Sequence, residues 1–180
     1  MKTSLAALTL LSLLAAGCAS QSGSGSGSGM RGAVASASLA PKSGSSTMGT
    51  VAFSPRGADA VMVTVDISGL KPNAEHGFHV HERGDCGAPD AMSAGGHFNP
   101  MGKKHGGMME EHHAGDIPNL KTDAQGRVRA SFEVKGMSVE GGPMNIIGKS
   151  VVVHRDADNY KSQPAGDSGP RIACGMIQRL

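Results

Sequence analysis

All but one of the eight histidines of this 180-residue chain fall between His76 and His113, and the last is His154. A lone histidine is most often a satisfied polar residue, but a run this dense points to metal chemistry. His79-Val80-His81 sits in an apolar stretch, Gly77 to His81, that reads as a strand. Residues i and i+2 of a strand project from one face with Cα atoms about 7 Å apart, so both imidazoles can converge on one ion. His154 closes a valine-rich run, Val151 to His154, and offers a third nitrogen. His97, His105, His113 and Asp116 follow in a loop; three imidazoles and one carboxylate make a closed tetrahedral set suited to structural zinc. An imidazole-rich site with an open position suits copper. Each motif alone is a weak signal, and the combination is a strong one.

The elements that must position these side chains read as β throughout. Val34 to Leu39, Gly49 to Phe53, Ala60 to Ile67, Val128 to Val134 and Val151 to His154 are short runs rich in Val, Ile and Thr. Turn signals separate them, among them Pro41-Lys-Ser-Gly, Ser54-Pro-Arg-Gly and Gly69-Leu-Lys-Pro-Asn. Val61, Val63 and Val65 alternate with Met62, Thr64 and Asp66, as in a half-buried strand. No stretch carries a convincing helical stripe. Several short strands at this spacing predict an all-β sandwich or flattened barrel. A long irregular segment, roughly Glu82 to Leu120, interrupts them, and a loop of that length inside a compact domain is usually functional.

The first residues are not part of that fold. Lys2 precedes an apolar run, Leu5 to Ala16, ending in Ala15-Ala16-Gly17-Cys18. One positive charge, a short hydrophobic run and small residues before a cleavage point make a secretory signal, and about a dozen apolar residues fall short of the roughly 20 a spanning helix needs. Cysteine directly after Ala-Gly resembles a bacterial lipobox, although Leu is more usual where Ala15 stands. Residues 1–17 are therefore expected to be a lipoprotein-type signal, with lipid carried on Cys18. Ser22 to Gly29 is a Gly/Ser repeat that behaves as flexible coil, so residues 18–29 form an anchor and tether and residues 30–180 one folded domain. Ala19 after the cysteine favours the outer membrane, at its periplasmic face. Lys+Arg 17 nearly balance Asp+Glu 15, and four Phe, one Tyr and no Trp leave little for stacking, which argues against a nucleic-acid partner. With Cys18 lipidated, the three cysteines leave one pair, Cys86 and Cys174, which an oxidising compartment lets close.

The chain resembles the copper/zinc superoxide dismutase family. The residues that carry the likeness are Gly77-Phe-His-Val-His-Glu82, Gly84-Asp-Cys86, Gly95-Gly-His-Phe-Asn-Pro100, Lys104-His-Gly-Gly107, His113-Ala-Gly-Asp116, Ile146 to His154, and Gly169-Pro-Arg-Ile-Ala-Cys-Gly175. The resemblance covers essentially Gly32 to the C-terminus, and these motifs are jointly specific. The resemblance implies a Greek-key β-barrel of immunoglobulin-like architecture. It implies copper on His79, His81, His97 and His154, and zinc on His97, His105, His113 and Asp116, with His97 shared as a bridging imidazolate. Asp158 would orient ligands of both metals, Arg171 would stand over the open copper face and attract a small anion, and Cys86–Cys174 would be the family's disulfide. The implied reaction converts two superoxide radicals and two protons to dioxygen and hydrogen peroxide.

Some features depart from the pattern. Between Asp158 and Pro170 the charged residues that guide substrate in many relatives are not obvious, and Lys161 is a weak substitute. His112 beside His113 leaves the zinc frame ambiguous; His113 is preferred because it gives His-x-Gly-Asp. His76 reads as a surface or loop-stabilising residue, and Met101, Met108 and Met109 as loop or interface apolar groups rather than copper-loading ligands. Two other classes remain open: a copper/zinc-binding module on the same scaffold without turnover, and an envelope structural protein on an immunoglobulin-like sandwich. Monomer and homodimer fit the sequence equally.

Overall fold

The structure is a computed structural model that describes Met1 and residues 32–180. Cys18, the signal segment and the Gly/Ser tether lie outside the described residues.

The β-branched runs form strands as their composition requires. β1 (Ala35–Pro41), β2 (Met48–Pro55) and β3 (Ala60–Ser68) pair antiparallel in sequence, and β3 pairs with β6 (Val128–Lys135). In β3, Val61, Val63, Val65 and Ile67 are buried while Thr64 and Asp66 face outward, which is the alternation of a half-buried strand. The other half contains β4 (Glu75–His81), β5 (Asp116–Lys121), β7 (Ser150–His154) and β8 (Arg171–Met176). The order is β5-β4-β7-β8-β1-β2-β3-β6, with a short β9 (Gln178–Arg179) on β1. β1 belongs to both halves: residues Ala35 to Leu39 pair with β2, and Ala40 and Pro41 pair with β8. Two four-stranded layers hinged on one strand, closed around a core of Phe53, Phe78, Ile117, Leu120 and the valines, make the expected flattened barrel. Among the described residues no ladder joins the edges β5 and β6, so the barrel is nearly closed.

Two expectations change here. The irregular segment is shorter than Glu82 to Leu120, because Asp116–Lys121 is strand β5, pairing with β4. Pro118 and Asn119 mask it in the sequence, but β5 is an edge strand, where a missing N–H costs no ladder bond. His76 is also not a surface residue: it is 1% exposed in β4, and its Nδ1–H donates to the His154 carbonyl at 2.9 Å.

The half containing β4 and β7 positions the site because both its faces are covered. Phe78, Val80, Val151 and Val153 point into the core. Their neighbours His79, His81 and Val152 point the other way, beneath the loops. Gly77 lies on that covered outer face; a Cβ there would press on Ser168, so the loop between His154 and Arg171 can pack down only because residue 77 has no side chain.

Candidate metal centre

His79 and His81 leave β4 on one face, and antiparallel pairing sets His79 opposite both Asp116 of β5 and Val152 of β7. His154 ends β7, where the register shifts opposite Arg171. His97 enters from the long loop through a bridge to His81. Four residues, His79, His81, His97 and His154, present ligand atoms within 4.8 Å of one another, all buried. His97, His105, His113 and Asp116 form a second such group. Every ligand residue read from the sequence is present, and His97 belongs to both sets.

Hydrogen bonds fix which nitrogen each ring has left to offer. His81 Nδ1–H donates to the Gly95 carbonyl at 3.0 Å and His154 Nδ1–H to the Gly169 carbonyl at 3.1 Å. Their Nε2 atoms therefore face each other, 3.4 Å apart, with lone pairs free. His79 and His105 direct Nε2–H to the two oxygens of Asp158, at 2.8 and 2.9 Å. This leaves His79 Nδ1 and His105 Nδ1 inward, and both are buried without a hydrogen-bond partner, as is His97 Nε2. Buried polar atoms are rarely orphaned; among the described residues four are, and three of them lie on ligand candidates, the fourth being His76 Nε2 outside both sets.

Four separations in the second set are close to the edges of a tetrahedron. Asp116 Oδ1 lies 2.8 Å from His97 Nδ1, 3.0 Å from His105 Nδ1 and 3.3 Å from His113 Nδ1, and the last is 3.5 Å from His97 Nδ1. Four ligands about 2.0–2.1 Å from a zinc ion would be separated by about 3.3 Å. These contacts fit the edges of that polyhedron better than a set of ion pairs competing for one oxygen. Asp116 Oδ2 is meanwhile held by the backbone N–H groups of His113 and Gly106, at 2.9 and 3.2 Å. His113, not His112, belongs to the set. His112 turns away and donates Nδ1–H to the His113 carbonyl at 2.7 Å.

Electrostatics keep four of the rings neutral, as metal ligands must be. Burial pushes His97 down to about 4, outweighing the pull of Asp116. Burial also holds His79, His81 and His154 below the ordinary histidine range, so all are neutral near pH 7. Burial acts downward on His105 too, but the Asp116 carboxylate beside it and its hydrogen bond to Asp158 prevail and push it up to about 9. Asp116 and Asp158 stay ionised far below the usual carboxylate range; their hydrogen bonds to histidines overcome burial. In the metal-free protein His97, shifted from 6.5 to about 4, contributes stability that is present above pH 6.5 and lost as pH falls through 4. His105, shifted from 6.5 to about 9, contributes stability present below 6.5 and lost as pH rises through 9. The urea midpoint of chelator-treated protein is therefore expected to peak near pH 6.5 and fall on both sides. A profile rising continuously from pH 5 to pH 9 (about the span between the two shifted groups) would contradict this charge assignment.

Arg171 opens β8, with Nη1 donating to Ala91 O at 2.8 Å and Nη2 to Gly95 O at 2.7 Å. Its charge is among those that depress His81 and His154, which places it on the His81/His154 side of the centre. Cys86 and Cys174 are bonded, joining the loop that bears His97 to β8 across 88 residues. Some supporting residues carried no signal in the sequence. Asn119 clamps the backbone of Asp158, accepting its N–H and donating to its carbonyl, each at 2.9 Å. Gln163 does the same for His105, at 3.0 and 2.9 Å. Gly166, at φ 66, leaves room for the Asp158 carboxylate where any Cβ would collide. Met101 and Met109 are exposed, while Met108 lies half-buried in the loop beside Tyr160 and Lys161.

Two ligand sets sharing one buried imidazole ask for two cations side by side, one held by nitrogen alone and one by nitrogen and oxygen. On an antiparallel barrel with a disulfide-tethered loop, that is a candidate dinuclear metal centre. The family profile for copper/zinc superoxide dismutase (SODC) matches residues 47–177. Superoxide dismutase [Cu-Zn] 2 of Aquifex aeolicus (strain VF5) is 47% identical over 123 residues, covering 66% of this chain and 72% of that one. The superoxide dismutase-like protein YojM of Bacillus subtilis (strain 168) is 41% identical over 120 residues, covering 64% of this chain and 61% of that one. A crystal structure of a SOD-like protein from Bacillus subtilis superposes with a TM-score of 0.71 at 36% identity, covering 78% of this chain and 95% of that one. The chain belongs to the copper/zinc superoxide dismutase family. It is an oxidoreductase of superoxide whose cofactors are copper and zinc.

Proposed function

We propose that His79, His81, His97 and His154 hold copper, that His97, His105, His113 and Asp116 hold zinc, and that the protein dismutates superoxide in the cell envelope. The observation that carries the site assignment is His97: its Nδ1 lies 2.8 Å from Asp116 in one set, while its Nε2 is buried without a partner in the other. Copper bound there would supply one-electron chemistry, Cu(II) to Cu(I) and back, oxidising one superoxide to dioxygen and, with two protons, reducing a second to hydrogen peroxide; zinc would supply charge without redox.

The chain's own residues do the rest. Arg171, pinned by the Ala91 and Gly95 carbonyls, presents a fixed positive charge beside His81 and His154 and draws a small anion to that side. His97 Nε2, buried without a protein partner, is the ring nitrogen placed to take up a proton and pass it to a departing peroxide. Asp158 holds the His79 and His105 rings by their outer N–H groups, the carboxylate–histidine arrangement that orients ligands and raises their basicity. Electrostatic focusing by a charged cleft raises encounter rates by about 10- to 1,000-fold. Arg171→Ala is therefore expected to lower kcat/KM by about tenfold or more and to flatten its dependence on ionic strength. A variant with unchanged rate and unchanged salt slope would remove Arg171 from the reaction.

The reading against this one is a metal-binding module without turnover. Both ligand sets and the arginine are intact, which favours turnover. For location, we infer lipidation at Cys18 and a Gly/Ser tether that holds the domain at the periplasmic face of the outer membrane, where it would meet extracytoplasmic superoxide. The support is the Ala15 to Cys18 sequence, the repeat after it and an oxidised Cys86–Cys174 pair. Cys18→Ser is expected to move the protein from the membrane to the soluble envelope fraction without loss of activity. Membrane association that survives the substitution would refute the anchor.

A further inference from the structure

The turn after β1 connects to the metal centre through contacts that the family likeness does not explain. The disulfide ties two segments together, the loop from Cys86 to His97 and the start of β8. Lys42 and Ser43 tie the same two segments a second time. The Lys42 ammonium donates to the Cys86 carbonyl, and the Lys42 backbone N–H donates to Ile172 O at 2.9 Å. The Ser43 N–H donates to Pro89 O at 2.8 Å, and its Oγ–H to Arg171 O at 2.8 Å. Each residue thus has one hand on the disulfide loop and one on the strand that begins with Arg171. Ser45 adds a further bond, Oγ–H to Ile172 O.

Both ends matter to one side chain. The Arg171 backbone is held by Ser43, and its guanidinium is held by Ala91 and Gly95, which lie in the loop that Lys42 and Ser43 grip at Cys86 and Pro89. Ser43 sits at φ 50, a conformation that non-glycine residues rarely adopt, and its two bonds keep it there. The charge on Lys42 strengthens the bond to Cys86 O relative to a neutral pair.

We propose that the side chains of Lys42 and Ser43 position Arg171: their bonds to Cys86 O and Arg171 O form a non-covalent strut parallel to the disulfide, which keeps the arginine aimed at the anion when Cys86–Cys174 is reduced. The proposal rests on the reading of Arg171 as the group that receives the anion. A small loss is expected while the disulfide carries the same constraint, and a large one without it.

The test measures azide affinity of the copper- and zinc-loaded protein, read from the change in its Cu(II) spectrum, for Lys42→Met/Ser43→Ala with the disulfide intact and again in a Cys86→Ser/Cys174→Ser background. Each hydrogen bond is worth a factor of about 2 to 12 once the competing constraint is gone. Azide binding is thus expected to weaken by no more than about 2-fold in the oxidised protein and about 10-fold in the disulfide-free one. Lys42→Arg, which keeps a cationic donor, is expected to restore most of the loss from Lys42→Met. If the combined variant does not fold, Lys42→Met and Lys42→Arg are compared in a single Cys86→Ser background, which opens the disulfide without a reductant that would destroy the Cu(II) signal. Equal losses in the two backgrounds, or no loss in either, would overturn the strut. Arg171→Ala runs in parallel: if it leaves azide affinity unchanged, the reading of Arg171 fails, and that result is distinct from a failure of the strut.

Discussion

His97→Ala is expected to reduce dismutation by at least about 100-fold and to lower zinc retention at the same time. The reason is geometric. The His97 ring centroid lies 4.0 Å from that of His79, 5.0 Å from His81, 5.4 Å from His105 and 5.5 Å from His113, so it is the wall common to both sets. Truncation removes a ligand from each. Loss of an outer-shell partner alone costs about 10- to 100-fold in metal affinity or activity, and a ligand serving two ions should reach at least the upper end. His105→Ala should behave differently, losing zinc while leaving the four nitrogens of the other set in place. His112→Ala supplies the control: its ring faces away, so metal content and rate are expected to match the unaltered protein. Metal analysis and a dismutation assay on the three variants check the pattern. A His97→Ala protein that keeps full activity would end the shared-ligand reading.

Removing the Cys86–Cys174 bond is expected to cost about 4 to 5 kcal/mol of stability, the chain-entropy value for a loop of this length. That corresponds to a fall of about 10–20 °C in Tm for a domain of this size. Few substitutions in this molecule should match it. The core is built from small and β-branched side chains, with Phe53 and Phe78 the largest fully buried groups, and so lacks the large aromatic burial that stabilises many domains. The bond also closes a loop that carries His97, so the loss should be greater for the metal-free protein than for the loaded one, whose ligands tie the same loop down. Paired thermal melts of the oxidised protein and of Cys86→Ser/Cys174→Ser, with and without metals, measure both quantities. A shift below about 3 °C (less than 1.5 kcal/mol at this size) would show that packing and the Lys42 and Ser43 contacts hold the loop without the disulfide.

The candidate ligands were legible in the sequence because their chemistry is unusual. Histidine is uncommon enough that a dense run of it carries information, and the i, i+2 spacing of His79 and His81 already states that they share a strand face. The shared role of His97 was not legible from spacing; it came from family likeness, and the structure supports it with one nitrogen in each set. Strand β5 was missed because Asp116-Ile-Pro-Asn-Leu-Lys carries two breakers that only an edge position tolerates. Strand β8 was not read from its own pattern, since its residues from Ile172 to Gly175 are all buried and show no alternation. Gly175 also looks like a weak point, yet a Cβ there would meet the Ser38 backbone of β1 at 2.5 Å, so close packing of the two strands requires glycine. For His76, read as a surface or loop-stabilising residue, only the fold reveals its burial and the His154 carbonyl that its ring binds. Asn119, Gln163, Lys42 and Ser43 are ordinary turn and loop residues by sequence. Their work depends on which distant segment they meet, which no local pattern encodes.

The most direct measurement is metal content and superoxide dismutation on one purified sample, before and after selective removal and return of copper. The account predicts one copper and one zinc per chain, rapid dismutation that disappears when copper is withdrawn, and recovery when copper is restored to the zinc-loaded protein. A protein that holds both metals in that ratio and yet dismutates superoxide no faster than buffer would contradict it.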